Sequence, residues 1–283
     1  MTDLLEDEFG DILGKGRFGL GLSVADIARL TEVPEAHIEK LEAYQRQPSK
    51  AECDHIAKAL RLHPESLWAI ATSTWAPAPV ELDQTGTRIK QVFHPPMRLT
   101  QYIVGDHDTG QAIVIDPGAE PEQLLAVISD SQWTAVGILI THADSDHVDA
   151  LDQLNRALDV PIFVHPIEKM RLSSPSSSGL KTFSYGDRFT IGPFEIEARG
   201  TPGHSPGHAS LVIRDFVMAG DAIFAGSLGR TSMGSAHYAN HLATVETQLL
   251  SLPGSTRLFP GHGPPTTVAE EHAHNPFFAS RIA

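Results

Sequence analysis

The stretch THADSDHVDA, Thr141 to Ala150, places two histidines and three aspartates within ten residues. It follows AVGILI, an apolar run of strand length, and precedes LDQLNRAL, whose apolar positions recur at helical spacing. The pattern predicts a buried strand, Val136 to Thr141, then a ligand-rich loop, then an amphipathic helix from about Asp149 to Leu158. Side chains just past a strand are held by the sheet yet open to a cleft, which suits ligation. His142, Asp144, Asp146 and His147 crowd that loop.

Three further segments repeat the arrangement. TPGHSPGHASLVI supplies His204, FVMAGDAIFAG supplies Asp221 after an apolar strand, and TRLFPGHGP supplies His262 after another. A lone histidine in such a chain reads as structural. Four loops rich in His, Asp and Gly do not, because clustered polar groups beside apolar strands need partners and divalent ions satisfy them. His208, four residues after His204, is expected to open the strand ASLVI and hydrogen-bond the loop rather than ligate. His165, in IFVHP, ends a strand and is a candidate cleft residue. His37, His55 and His63 have no partners in sequence and are expected to be solvated.

The 283 residues can bury one domain of ordinary size and a smaller one. From Ile12 to Ala71 the sequence reads as short helices, and after Thr85 as β-rich segments separated by Gly and Pro. The junction TSTWAPAPVELDQTG contains Ala-Pro-Ala-Pro, a stiff extended linker. The expected division is a helical domain over 1–75, a linker over 76–87 and a catalytic domain over 88–283. SSPSSSG, Ser173 to Gly179, reads as a surface loop. The lone Cys53 can form no internal disulfide. No apolar run approaches the roughly 20 residues of a membrane span, and the acidic start lacks secretory features, so a cytoplasmic location is expected. The net charge of −14 argues against general affinity for nucleic acid or acidic membranes.

In the helical part, Ser23 can cap a helix that turns inward Val24, Ile27, Ala28 and Leu30, and Thr31 to Val33 turns into a second helix carrying Ile38 and Leu41. From GLSVADIARL through QRQPS to IAKALRLHPESLWAI, this region resembles the Cro/repressor-type helix-turn-helix family over about 60 residues. That resemblance implies a small all-α bundle of five helices, with Pro34 to Tyr44 as the DNA-reading helix. The charge opposes that use. Residues 1–75 hold eight Lys or Arg against thirteen Asp or Glu, a net of −5, and Glu35, Glu39 and Glu42 lie on the reading helix itself. DNA as a partner is disfavoured, and dimerisation or contact with the catalytic domain is the expected use.

The ligand segments, in their order THADSDH, TPGH, GD and PGHG, resemble the metallo-β-lactamase superfamily. QYIVGD, AIVIDPGAE, GDAIFAGSLGRTS and FPGHGPPTTVAEEHAHNPFF look like its glyoxalase II branch, whose members hydrolyse hydroxyacyl-glutathione thioesters. The likeness covers about 190 residues, Arg88 to Phe278. It implies an α+β chain whose main part is an αββα sandwich with metals at one edge. It further implies a metal-dependent ester or thioester hydrolase with a small-molecule substrate, using metal-activated water as the nucleophile. By position, a first metal takes His142, Asp144 and His204, a second takes Asp146, His147 and His262, and Asp221 bridges them. Asp146 and Asp221 orient the nucleophile and shuttle its proton. Arg230, His237, Tyr238 and His241 follow the Asp221 strand, where family members gather substrate contacts.

Asp144 departs from the family pattern, which has histidine there. The extra carboxylate implies a weaker Lewis acid and a lean toward Mn²⁺ or Fe²⁺ over Zn²⁺. Two divalent ions are expected, with loss of the first site, and a mononuclear centre, as the alternative. The remaining readings are a persulfide dioxygenase-like mononuclear iron enzyme, a regulator that senses a metal or ligand and binds DNA, and a homo-oligomer formed through the helical part.

Overall fold

The computed structural model describes residues 5–84, 86–172, 179–231 and 235–279. Apart from Gly179, the Ser-rich stretch Ser173 to Gly179 lies outside them.

Five helices come first: α1 (Phe9–Gly19), α2 (Val24–Thr31), α3 (Glu35–Glu42), α4 (Lys50–Leu60) and α5 (Pro64–Ala71). Their starts are written in the sequence. Ser23 and Ser49 each accept the backbone N–H three residues on, while Asp26 and Glu52 return the bond to the cap backbone. His63 caps α5 by accepting from Ser66 N.

A seven-stranded sheet runs in chain order through β1 (Asp83–Gln84), β2 (Thr87–His94), β3 (Leu99–Asp106), β4 (Gln111–Ile115), β5 (Thr134–Leu139), β6 (Ile162–Val164) and β7 (Leu180–Thr182). Its first four strands are antiparallel and the β4–β5, β5–β6 and β6–β7 pairs are parallel. The parallel crossovers carry α6 (Pro121–Asp130), the short turn α7 (Ser145–Val148), α8 (Leu151–Leu158) and α9 (Pro166–Lys169). The second sheet holds β8 (Arg188–Ile191), β9 (Phe194–Gly200), β10 (Ala209–Ile213), β11 (Phe216–Gly220), β12 (Arg257–Pro260) and β13 (Thr266–Thr267), with α10 (Ser235–Gln248) and α11 (Val268–His274) beside it.

Period-2 alternation divides the side chains between layers. Tyr102, Val104, Ile113 and Ile115 of the first sheet meet Leu211, Ile213, Phe216 and Met218 of the second in one buried core. Ile103, Ala112 and Val114 point the other way, onto Leu124 and Ile128 of α6 and Leu151 and Leu154 of α8. On the outer face of the second sheet, Val217 and Ala219 share a third core with Leu242 and Val245 of α10. The chain is thus α+β, with two sheets between helical layers. That third core also contains Ile12, Leu13, Ile27, Ile38, Leu67 and Ile70 of the five N-terminal helices. The residue before the expected linker joins it too, since Trp75 packs against Gly226, stacks on His274 with ring centroids 5.2 Å apart and donates to Glu270 at 3.2 Å. Among the described residues, no helix is long and apolar enough to cross a membrane.

Two expectations are corrected here. The predicted helix from Asp149 begins at Leu151, because Ala150 N is drawn to Pro117 O at 3.1 Å and a separate turn, α7, precedes it. His37, His55 and His63 are partnered rather than simply solvated: they lie 3.4 Å from a Glu52 carboxylate oxygen, 3.1 Å from Thr31 O and 2.8 Å from Ser66 Oγ.

Glu271 of α11 is fully buried and accepts from Thr266 Oγ1 at 2.7 Å, Asn275 Nδ2 at 2.7 Å and Gly226 N at 3.0 Å. Burial outweighs those bonds and pushes its carboxyl up to about 7. The folded state therefore binds more protons than the unfolded chain between about pH 4.5 and 7, and stability falls as pH rises through that window. Glu271→Gln is expected to remove roughly 3 kcal/mol of that pH dependence. Denaturant unfolding at pH 5 and pH 8 checks this, and equal slopes for wild type and variant would refute it.

Candidate metal centre

β5 ends at Leu139 and delivers Thr141 and His142, both fully buried, to one edge of the sandwich. The turn α7 then presents Asp146 and His147, while Asp144 stands at its N-cap with its side chain turned to the site instead of the helix amides. Asp221 follows β11, His262 follows β12, and His204 lies in the loop between β9 and β10. All seven predicted ligands are thereby brought together.

Asp221 sits among the imidazoles. Its Oδ1 is 3.3 Å from His147 Nε2, and its Oδ2 is 3.6 Å from both His204 Nε2 and His262 Nε2. Asp146 Oδ2 lies 3.3 Å from His262 Nε2. Asp144 Oδ2 lies 3.1 Å from His204 Nε2 and 4.0 Å from His142 Nε2. The ligand atoms of His142, His204 and Asp221 fall within 4.8 Å of one another, and so do those of Asp146, His147 and His262.

Two observations test whether a metal fits. Three buried atoms, His142 Nε2, His147 Nε2 and Asp221 Oδ1, have no hydrogen-bonding partner, a costly state that an ion would relieve. A Cβ on Gly261 would stand 2.5 Å from both Asp221 Oδ1 and His147 Cε1, so the space before these ligands depends on glycine. The donor set, four imidazoles and three carboxylates, suits borderline divalent ions.

The outer contacts fix every imidazole in one tautomer. His204 Nδ1 donates to Arg230 O at 2.7 Å, and His262 Nδ1 to Arg98 O at 3.2 Å. His147 Nδ1 donates to Asp116 Oδ2 at 3.1 Å. Thr141 Oγ1 spends its proton on Asp116 at 2.6 Å and accepts from His142 Nδ1 at 3.0 Å. All four therefore aim Nε2 inward. Asp116 also groups with His142 and His147, but its oxygens are taken by Thr141 N, Thr141 Oγ1 and His147 Nδ1, which makes it an orienting group.

Charge is arranged to match. Burial opposes protonation of His147, His204 and His262, yet Asp221, with Asp116, Asp144 and Asp146, holds all three above the ordinary imidazole value. Burial holds His142 well below it. Burial would raise Asp144, but the hydrogen bonds from His204 and Arg171 bring it down to about 2. Ion entry must displace the imidazole protons, so affinity rises with pH.

His208 is fully buried, paired through Nδ1 with Thr201 Oγ1 at 2.8 Å and accepting Asp221 N at 3.0 Å through Nε2. His165 caps α9 and stacks on Tyr185 with centroids 4.3 Å apart. Arg230 is exposed, and His237 is half-buried on α10. Tyr238 and His241 face inward. The Tyr238 ring packs against Gly19 of α1, while His241 donates to Ala222 O at 2.9 Å and is pushed down to about 4 by burial. Three groups were missed in the sequence: Asp116, Glu168 and Arg171. The Asp-Pro-Gly after an apolar strand was a usable signal for the first, and nothing local marked the other two.

The profile of the metallo-β-lactamase superfamily matches residues 96–262. The chain is 35% identical over 198 residues to the probable metallo-hydrolase YqgX of Bacillus subtilis, covering 64% of this chain and 93% of that one. It is 30% identical over 191 residues to the hydroxyacylglutathione hydrolase GloC of Haemophilus influenzae, covering 62% and 90%. The crystal structure of TTHA1623 in a di-iron-bound form superposes with a TM-score of 0.58 at 34% identity, over 67% of this chain and all of that one. With the match spanning more than half of the chain and the ligand loops falling inside it, this protein belongs to the metallo-β-lactamase superfamily.

Proposed function

We propose that the chain is a binuclear metal-dependent hydrolase of a carbonyl ester or thioester, with a glutathione-type thioester as the favoured substrate. The observation that carries this reading is Asp221, whose two oxygens face imidazoles of both ligand groups. His142, Asp144 and His204 would hold one ion, Asp146, His147 and His262 the other, and Asp221 would bridge. Similarity to the hydroxyacylglutathione hydrolase GloC supports the thioester, and the di-iron form of TTHA1623, with the extra carboxylate of Asp144, supports iron or manganese over zinc.

Two divalent ions there would polarise the carbonyl and lower the pKa of a water toward neutrality. Asp221, nearly buried, fixes the direction from which the water attacks. Asp146 is one-third exposed and accepts the proton that the water releases. The carbon–sulfur bond breaks as the new carbon–oxygen bond is completed, and the proton passes to the leaving thiolate. Arg230, exposed and adjoining His204 through its backbone, is a candidate for contact with an anionic substrate.

For the helical part we propose the helix-turn-helix bundle without the DNA-reading role. Glu35 and Glu39 are exposed on α3 beside the single exposed Lys40, and Arg17 of α1 is forked onto Glu42 at 2.6 and 2.8 Å, so carboxylates outnumber cations on the surface that would meet phosphate.

The test is metal content of protein purified without chelator, alongside hydrolysis of lactoylglutathione and oxygen uptake with a glutathione persulfide. About two ions per chain with thioester turnover is the expected result. One iron per chain, with oxygen uptake and no thioester turnover, overturns it in favour of a persulfide dioxygenase-like enzyme.

A further inference from the structure

Asp144 is not alone in its departure from histidine. Arg171, just past α9, donates through Nη2 to Asp144 Oδ1 at 2.5 Å and through Nη1 to Glu168 Oε2 at 2.5 Å. Glu168 is fully buried. Its Oε2 also accepts from Ala143 N at 2.8 Å, in the loop that carries Asp144. Its Oε1 accepts from Ser205 Oγ at 2.9 Å and Gly207 N at 2.6 Å, in the loop that carries His204. One buried carboxylate therefore pins two ligand loops together and holds the guanidinium that grips a third group.

We propose that Arg171, anchored by Glu168, is a positioning residue that makes aspartate work at position 144 as a one-oxygen ligand of the first metal. This rests on the binuclear reading above and deepens it. An aspartate is shorter than a histidine and carries two equivalent oxygens, so left to itself it can rotate or chelate with both. Arg171 occupies Oδ1, and the remaining Oδ2 is the atom that faces His204 and His142. Because Glu168 offsets the charge of the guanidinium, what Arg171 supplies is orientation, given by the planar two-pronged geometry that lysine lacks. An imidazole at position 144 has no second oxygen to be held, so the need for Arg171 is tied to the aspartate.

The test is a cycle of four proteins: wild type, Arg171→Met, Asp144→His and the double variant, each assayed for ions per chain and for ion affinity by chelator competition. Thermal melting in chelator confirms that each is folded. Arg171→Met is expected to weaken the first ion by about 10- to 100-fold, as loss of an orienting partner does elsewhere, taking stoichiometry from about two toward about one. In the Asp144→His background the same change is expected to leave affinity unchanged or raise it. Equal losses in both backgrounds would make Arg171 merely structural and overturn the inference, as would no loss in either. A single ion in the wild type overturns the binuclear reading separately. The Arg171 inference then stands if Arg171→Met weakens that ion only in the aspartate background, and falls otherwise.

Discussion

Asp221→Ala is expected to reduce bound metal from about two ions per chain to less than one and to lower thioester hydrolysis by on the order of 10³-fold or more. A Lewis-acid contribution of several kcal/mol, at 1.36 kcal/mol per factor of ten, sets that scale. The loss exceeds that for Asp144 because of position. Among the imidazoles, Asp144 faces His142 and His204, whereas Asp221 faces His147, His204 and His262. Removing it leaves three converging imidazoles without their shared counter-charge, and on the proposed assignment neither ion would keep its full set. The fold should survive, since the Asp221 backbone N–H still reaches His208 and β11 keeps its partners on both sides. Asp221→Asn, which keeps one carbonyl oxygen and the volume, is expected to fall between. Elemental analysis and steady-state hydrolysis on the same preparations decide the matter, and two ions retained in Asp221→Ala would remove the bridging role.

The candidate centre was legible because its residues follow a rule that sequence carries: they lie just past apolar strands, in short polar runs. His142, His204, Asp221 and His262 are all of this kind. What escaped is what depends on distance along the chain. Asp116 acts on His147 from 31 residues away and Arg171 on Asp144 from 27, with no periodicity to announce either pair. The inward turns of Tyr238 and His241 were hidden for the same reason. Their positions in a Gly/Ser-rich region resemble a substrate loop, but the partners that draw them in, Gly19 and Ala222, lie elsewhere in the chain. The stretch around the Ala-Pro-Ala-Pro segment shows tertiary packing at work. Helix α5 already ends at Ala71, ahead of Ala-Pro-Ala-Pro, and Trp75 just before that segment is held by Gly226, Glu270 and His274.

That packing carries the second large effect. A chain beginning at residue 76 is expected not to yield a folded, monomeric hydrolase. Phe277, Phe278, Leu228 and Tyr238 share their core with Ile12, Leu13, Leu67 and Ile70, and removing the helices uncovers that face. Fully burying one such side chain is worth roughly 1.5–3 kcal/mol, so exposing even part of four approaches the ~5–15 kcal/mol that holds an ordinary domain together. Polar ties go with it: His63 N to Pro276 O at 2.7 Å, Lys15 Nζ to Leu228 O at 2.8 Å and Arg98 to Leu5 O at 3.0 Å. The Lys15 contact reaches the metal centre. Leu228 is followed by Gly229, where a Cβ would stand 1.9 Å from Asp221 O, and then by Arg230, whose carbonyl fixes the His204 tautomer. The helices thus brace the loop whose Arg230 carbonyl orients His204. Size-exclusion chromatography and calorimetry of the truncated chain check this. A monomer that melts within about 5 °C of the full chain, a shift worth only ~2 kcal/mol for a chain of this size, would show that the helices are a separable domain.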